Sequence, residues 1–321
     1  MIFIISIEVD TATVNVMRWL KYFGEEFIRL NDVDQTTLRN IKLSDILLNH
    51  TIKVQNKNTP IEIDFSKIKS YWYRRGFLNI NYQRTNNLEI NKYLKEDIDD
   101  IEEYFYYILQ NKNHINCLKD TLINKLIALN KARELNISVP NTIVLSSKVD
   151  LEMFYHNNNK KIITKGIYNG FVFEVNKVNY SLNTSLFDYE SLKDQIQNFF
   201  FPTLFQAYIE KKYELRIFYL DNDFFSSAIF SQNDEQTKID FRNYSITKPN
   251  RINPICLPKN IKKKLRSLMT SLDLNSGSID MIYTPSGDYV FLEVNPIGQF
   301  AQVSDPCNYL LYKKIANYLS N

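Results

Sequence analysis

Residues 275–300 read NSGSIDMIYTPSGDYVFLEVNPIGQF. Two apolar runs, residues 277–284 and 289–295, flank the turn formers Thr284-Pro285-Ser286-Gly287-Asp288, so the stretch is expected to fold as a hairpin. Side chains alternate faces along a strand. That groups Tyr289, Phe291, Glu293 and Asn295 on one face and Val290, Leu292 and Val294 on the other. With residues 285–288 as the loop, antiparallel pairing sets Asp280 opposite Glu293. Asp280, Glu293 and Asn295 then converge on one patch. Hard oxygen donors without His or Cys suit Mg²⁺, which completes its shell with water and substrate phosphates. An edge hairpin carrying solvated acids satisfies the same spacing, so the metal reading needs partners elsewhere in the chain.

Working outward, the 321 residues leave room for about two or three domains. Hydrophobic content of 44% with 23% charged residues is that of a folded soluble chain. The net charge of +3 gives no electrostatic argument for nucleic acid. Cys117, Cys256 and Cys307 are odd in number and far apart, which fits a reducing cytoplasm better than a disulfide framework or metal cluster. His50, His114 and His156 are equally scattered, which argues against a histidine metal site or triad. No apolar run reaches the ~20 residues of a membrane span. The start, MIFIISIEVD, lacks a basic segment and is expected to be a strand, not a signal peptide. Glycine is scarce: seven residues where average usage gives about 22. Gly277, Gly287 and Gly298 all fall in the opening stretch, which points to backbone demands there.

Along the chain, residues 2–8 read as a buried strand and residues 11–23 as a helix with Val14, Met17, Leu20 and Phe23 inward, capped by Thr11 or Thr13. A strand at 27–30 closes a βαβ unit without a G-x-G-x-x-G fingerprint. Residues 51–54 and 61–65 suggest a hairpin. A strand through Ser70 ends in Arg74 and Arg75, which could hold anionic groups or simply flank buried aromatics. Helices are expected at 96–111, 120–135, 257–272 and 308–319, the second with Leu122, Leu126 and Leu129 inward. Strands are expected at 143–145, 160–165, 205–209, 215–220 and 224–230. Lys165 leaves a strand beside the turn from Gly166 to Gly170, where a lysine can meet phosphate as a point charge.

The order of these pieces carries more than any one of them. A helix with Lys125 and Lys131 precedes the strand ending in Lys165. QAYIEKKYELRIF, DFRN, SIDMIY and FLEVNP follow in that order. The sequence resembles the ATP-grasp superfamily, RimK-like branch. The stretches YWYRRGF, NKARELNISVPNTIV and AIFSQNDEQTKIDFRNY look most like the peptide maturases that make microviridins and other graspetides. The resemblance spans nearly the whole chain. It implies an α/β fold with an N-terminal pre-ATP-grasp domain (1–114), a central lobe acting as a lid (115–205) and a C-terminal ATP-grasp lobe (206–321). It also implies the chemistry: ATP phosphorylates an Asp or Glu side chain of a ribosomal precursor peptide, leader plus core. A Thr or Ser hydroxyl, or a Lys amine, then attacks the acyl phosphate and closes a ring.

By the same resemblance, Asp280, Glu293 and Asn295 match magnesium ligands, and Lys131 and Lys165 match phosphate-holding lysines. Gln206, Tyr208 and Ile209 match the hinge whose backbone meets adenine, and Glu214 matches a ribose-binding acid. Arg216 and Arg242 match arginines near the transferred phosphoryl group, with Asn243 following as in RimK-like chains. Two departures stand out. The turn at Gly166 is poorer in glycine than many phosphate loops, and Ala207 replaces a frequent Glu, which leaves adenine contacts to the backbone. None of the three histidines sits in a motif position, so no general base is evident. The expected cofactors are ATP and Mg²⁺. The expected partner is the precursor peptide, with a homodimer by analogy and neither nucleic acid nor membrane. Two other readings stay open: a RimK-like ligase adding amino acids to a terminus, and a non-catalytic peptide-binding homologue.

Overall fold

The computed structural model describes residues 1–43, 50–55, 60–168, 172–175, 178–181, 184–232, 237, 239 and 249–321. They form two compact units, Met1–Leu122 with Tyr309–Asn321, and Ile123–Asn308.

The first unit starts as its apolar pattern dictates. Strand β1 (Ile2–Ser6) is buried at every position. Helix α1 (Thr11–Tyr22) follows, then β2 (Phe27–Asn31), which pairs parallel with β1. Asp10, not a threonine, caps α1: its carboxylate accepts from the Thr13 amide at 2.8 Å. The buried stripe is Thr13, Val16 and Leu20, and Val14 is turned to solvent. Strands β3 (Gln35–Ile41), β4 (His50–Gln55) and β5 (Pro60–Asp64) make an antiparallel sheet. Strand β6 (Ser70–Tyr73) joins β1 in parallel. Helix α2 (Leu88–Gln110) is capped by Asn87, and β7 (Asn113–Ile115) completes the sheet order β2-β1-β6-β7. Trp72, Tyr71, Phe3, Phe65 and Phe105 fill this core. The aromatic content around Tyr71 and Phe105 therefore goes into packing. Arg74 and Arg75 both lean on Asp10, at 3.2 and 3.6 Å.

The second unit opens with α3 (Lys125–Glu134). Asn124 caps it by accepting from the Leu126 and Ile127 amides, so the helix begins at Lys125 and not at Asp120, where a 3₁₀ turn stands instead. Strand β8 (Thr142–Ser147), helix α4 (Lys148–Asn157), strand β9 (Ile162–Thr164) and hairpin strands β10 (Val172–Val175) and β11 (Val178–Ser181) follow. Then come β12 (Ser185–Phe187), the short α5 (Tyr189–Leu192) and β13 (Phe199–Ala207). Strands β12, β9, β13 and β8 form one antiparallel sheet in that order. Leu145, Ile162 and Phe205 on one face of it pack with Leu151 and Phe154 of α4.

A second, five-stranded antiparallel sheet is built from β14 (Tyr213–Leu220), β15 (Asp223–Phe230), β16 (Arg251–Pro254), β17 (Ser276–Tyr283) and β18 (Tyr289–Asn295), in the order β16-β15-β14-β17-β18. Its inner face carries Leu215, Ile217, Ile279, Met281 and Phe291. These pack on α3 and on α6 (Lys259–Ser271) through Ala128, Ala132, Leu265 and Met269. After the one-turn α7 (Ala301–Ser304), α8 (Leu311–Ser320) leaves this unit and packs on α1, β6 and β7 of the first. Its apolar residues Leu311, Ile315 and Leu319 are buried there, so the last helix of the segment 206–321 completes the N-terminal core.

Candidate active site

The opening hairpin forms, with a correction to its faces. Tyr283 pairs with Tyr289 and Met281 with Phe291, so the connecting loop is Thr284 to Asp288. That would put Asp280 opposite Leu292. A β-bulge between Asp280 and Met281 instead returns Glu293 to the position opposite Asp280. Phe291 is therefore in the core, while Leu292 and Glu293 both line a cleft on the opposite face of the sheet. Strict alternation had placed Phe291 with Glu293 and Leu292 away from it. The extra residue is what sets an apolar and an acidic side chain side by side.

Strand β14 supplies the neighbours. Leu215, Ile217 and Tyr219 point to the core, which sends Glu214 and Arg216 to the cleft side. Arg216 is in register with Asp280, and its Nη1 donates to both Asp280 oxygens at 2.7 and 2.6 Å. Nη2 reaches the Gln299 carbonyl at 3.4 Å, which ties the chain beyond β18 to the same point. Glu293 is held from two sides: Asn295 Nδ2 donates to Oε1 at 3.2 Å, and the Lys125 ammonium lies 3.4 Å from Oε2. Glu214 Oε1 accepts from Lys211 at 2.5 Å and from the Ser231 hydroxyl at 2.9 Å. All of Lys125, Lys211, Glu214, Arg216, Asp280 and Glu293 are buried, so these charges are compensated by one another and not by bulk water.

The cleft encloses about 730 Å³, open solvent included. The sheet of β9 and β13 forms its other wall through Ile163, Lys165, Gln206 and Ala207, continued by Tyr208 and Ile209. The Lys161 ammonium sits 4.8 Å above the Tyr208 ring. Its lining mixes apolar side chains, Ile163, Ile209, Ile282 and Leu292, with charged ones, Lys165, Asp280 and Glu293.

The structure thus brings together Lys165, Gln206, Tyr208, Ile209, Glu214, Arg216, Asp280, Glu293 and Asn295. It does not bring Lys131. That ammonium donates to the Ser271 carbonyl at the end of α6. Six residues at ~100° each turn the helix by about 240°, so Lys125 and Lys131 face different ways. Lys125 instead stands at Glu293, behind the cleft lining, and donates also to the Gly166 carbonyl at 2.9 Å. The signal for it was the Asn124 cap, which makes Lys125 the first helical residue. Lys211 was missed as well; its spacing of three from Glu214 is the one trace of it in sequence. Arg242, Asn243 and Gly170 lie outside the described residues.

Among the described residues no group of three or more His, Cys, Asp or Glu is assembled for a metal. The donor set at the hairpin is two carboxylates from adjacent strands and one amide. That all-oxygen set fits a small hard cation whose remaining positions go to water and phosphate. It does not fit a thiophilic or imidazole-seeking metal. No described helix is long and apolar enough to cross a membrane.

No family model matches the sequence, and no curated protein does. Solved structures do match over the full length. The macrocyclase MdnC bound with precursor peptide MdnA, from Microcystis aeruginosa MRC, is 23% identical with a TM-score of 0.78, covering 100% of this chain and 99% of that one. A Chryseobacterium gregarium RiPP-associated ATP-grasp ligase in complex with ADP and a leader and core peptide is 22% identical at TM-score 0.81, over 99% and 95%. The ATP-grasp ligase PsnB, complexed with minimal precursor, Mg and ADP, is 13% identical at 0.70, over 99% and 97%. The chain has the ATP-grasp fold. In an ATP-grasp fold the two antiparallel sheets of the second unit are the two walls of the cleft, and each contributes cations to it. Sequence identity this low carries the fold and not the activity, so function has to be argued from the cleft.

Proposed function

We propose that this chain is an ATP- and Mg²⁺-dependent ligase that closes side-chain rings in a ribosomal precursor peptide. The reading rests on one arrangement: a cleft lined by Ile163, Ile209, Ile282 and Leu292 together with Lys165, beside the buried ion pairs Lys125–Glu293, Lys211–Glu214 and Arg216–Asp280. That is a site for a flat base followed by a polyphosphate. Phosphoryl transfer asks a protein mainly for charge neutralisation and in-line placement, and four cations interleaved with the Asp280, Glu293 and Asn295 oxygens would supply both.

Asp280, Glu293 and Asn295 would hold Mg²⁺, which on binding neutralises phosphate charge. Lys125 and Lys165 hold phosphate oxygens, and Lys125 also links the Gly166 backbone to Glu293. Glu214, fixed by Lys211 and Ser231 and lining the cleft, would meet a ribose hydroxyl. Arg216 lies against Asp280 at the point where a peptide carboxylate takes the terminal phosphoryl group, releasing ADP. A Thr or Ser hydroxyl of the same peptide then attacks the acyl carbon. The C–O bond of the ω-ester forms as the bond between the acyl carbon and the bridging oxygen breaks, inorganic phosphate leaves with that oxygen and the electron pair, and the hydroxyl proton passes to phosphate or solvent. Water would hydrolyse the acyl phosphate, so the sheet carrying Lys165 and Gln206 acts as a lid that excludes it.

Incubation with ATP, Mg²⁺ and a Thr- and Asp/Glu-containing precursor, followed by mass spectrometry, tests this. The expected product has lost one water per ring, with ADP and phosphate formed, and Glu293→Gln abolishes it. A gain of one amino-acid residue in mass would replace ring closure by terminal ligation. Tight peptide binding with unchanged mass would remove catalysis altogether.

A further inference from the structure

A second cavity, of about 440 Å³ with open solvent included, lies on the other face of the five-stranded sheet, where Met281 and not Asp280 is its lining. Local structure builds it. Asn136, at φ 56°, ends α3 in the left-handed turn that asparagine tolerates. The chain then runs back beside β18, and the Ser138 carbonyl accepts from the Phe291 amide at 2.8 Å. A hollow is left between residues 136–138, α6 and the start of β18. Its floor is apolar: Ile137, Leu265 and Met281 line it and belong to the core beneath.

Two opposite charges line the same space from different elements, Lys264 from α6 and Asp288 from the turn between β17 and β18. Each is bonded elsewhere and not to the other. Lys264 gives one proton to the Asn136 carbonyl and has two left. Asp288 accepts from the Ser286 hydroxyl at 2.7 Å through Oδ2, which leaves Oδ1 to solvent. The helix and the turn hold the two charges apart, so a ligand bearing both signs can bridge them. The volume is at the low end of the roughly 300–1,000 Å³ typical of small-molecule pockets, which sets the ligand as a small one.

We propose that this hollow binds a free apolar α-amino acid. Its carboxylate meets Lys264, its ammonium meets Asp288, and its side chain lies on Leu265 and Met281. Charge-assisted hydrogen bonds at the two ends fix the orientation, and burial of the side chain adds affinity without direction. The site is separate from the cleft and does not depend on what the cleft binds. It adjoins the hairpin that carries Asp280 and Glu293 from behind, through Met281 and Tyr289.

Calorimetric titration of the full chain with leucine, methionine and phenylalanine tests this. All three should bind, and glycine, which offers the floor nothing, should not. Leucinamide lacks the carboxylate and 4-methylpentanoate lacks the ammonium. Each should bind about tenfold or more weaker than leucine. Lys264→Met and Asp288→Asn should weaken leucine by a similar factor. Lys263→Met, on the exposed side of α6, should change it by less than about threefold. No binding of any of the three amino acids would overturn the proposal. So would leucine binding that survives both variants unchanged, or leucinamide bound as tightly as leucine. The ligand series uses the wild-type chain, so it carries the test even where a variant does not fold.

Discussion

Lys125 and Lys131 are chemically identical and share one helix, yet only Lys125 reaches Glu293. Lys125→Met should lower kcat/KM of ATP-dependent ring closure by about 10²–10³, as loss of a preorganised charge does. Lys131→Met, at a half-buried position against a helix end, should change it by less than about threefold. Steady-state kinetics on the pair checks both. In the first unit, burial raises the pKa of Asp120 above the usual carboxylate range, although the Cys117 amide and thiol both donate to it. The sign follows from proton binding. Between its unfolded and its raised folded pKa the native state holds more protons than the unfolded chain, so stability falls as pH rises through that window and is recovered as pH falls. The stability difference between wild type and Asp120→Asn should therefore move in favour of wild type as pH drops from neutral toward the unfolded pKa. Urea unfolding at several pH values measures it, and a pH-independent difference would show that Asp120 does not titrate this way.

Hairpin β17–β18 shows what an element adds to its residues. Its turn and, to within a residue, its strand limits were legible in the sequence, because turn formers and β-branched runs act locally, whereas the Asp280–Glu293 pairing was expected from a loop one residue too short and holds through the bulge. The bulge itself was not legible. One extra residue is accommodated where Phe291 must enter the core and Glu293 must face the cleft, and only the packed sheet decides that. The end of the element is equally constrained. Gly298 donates to the Asn295 carbonyl at 2.9 Å, and a Cβ there would lie 2.5 Å from Ser278 Cβ and 2.8 Å from that same carbonyl oxygen. Gly298→Ala should cost about 1–3 kcal/mol by overpacking and push Asn295 off Glu293. Urea denaturation reads the first effect. The second appears as a loss of the Mg²⁺-dependent part of ADP affinity, with the Mg²⁺-independent part retained.

At the scale of the whole molecule, nucleotide binding should stabilise one unit and not the other. A ligand at one hundred times its Kd contributes about 2.7 kcal/mol to the unit that holds it. With ADP and Mg²⁺, hydrogen exchange should slow in β9, β13 and β17, and stay unchanged in β1 and β6; equal protection of both sheets would contradict a site built within the second unit. The division into units also explains which expectations the sequence could support. Apolar periodicity and turn clusters are local, so they determined the βαβ start, the strands β8, β9, β14 and β15, and the acidic hairpin. The ordered motifs, read as a resemblance, marked out the ATP-grasp fold. Tertiary structure decided the rest: that α8 belongs with α1, that Lys125 and not Lys131 reaches Glu293, and that Leu292 shares a face with Glu293. Each of these depends on which residues distant in sequence compete for the same buried surface, and that competition is settled only when the sheets and helices pack.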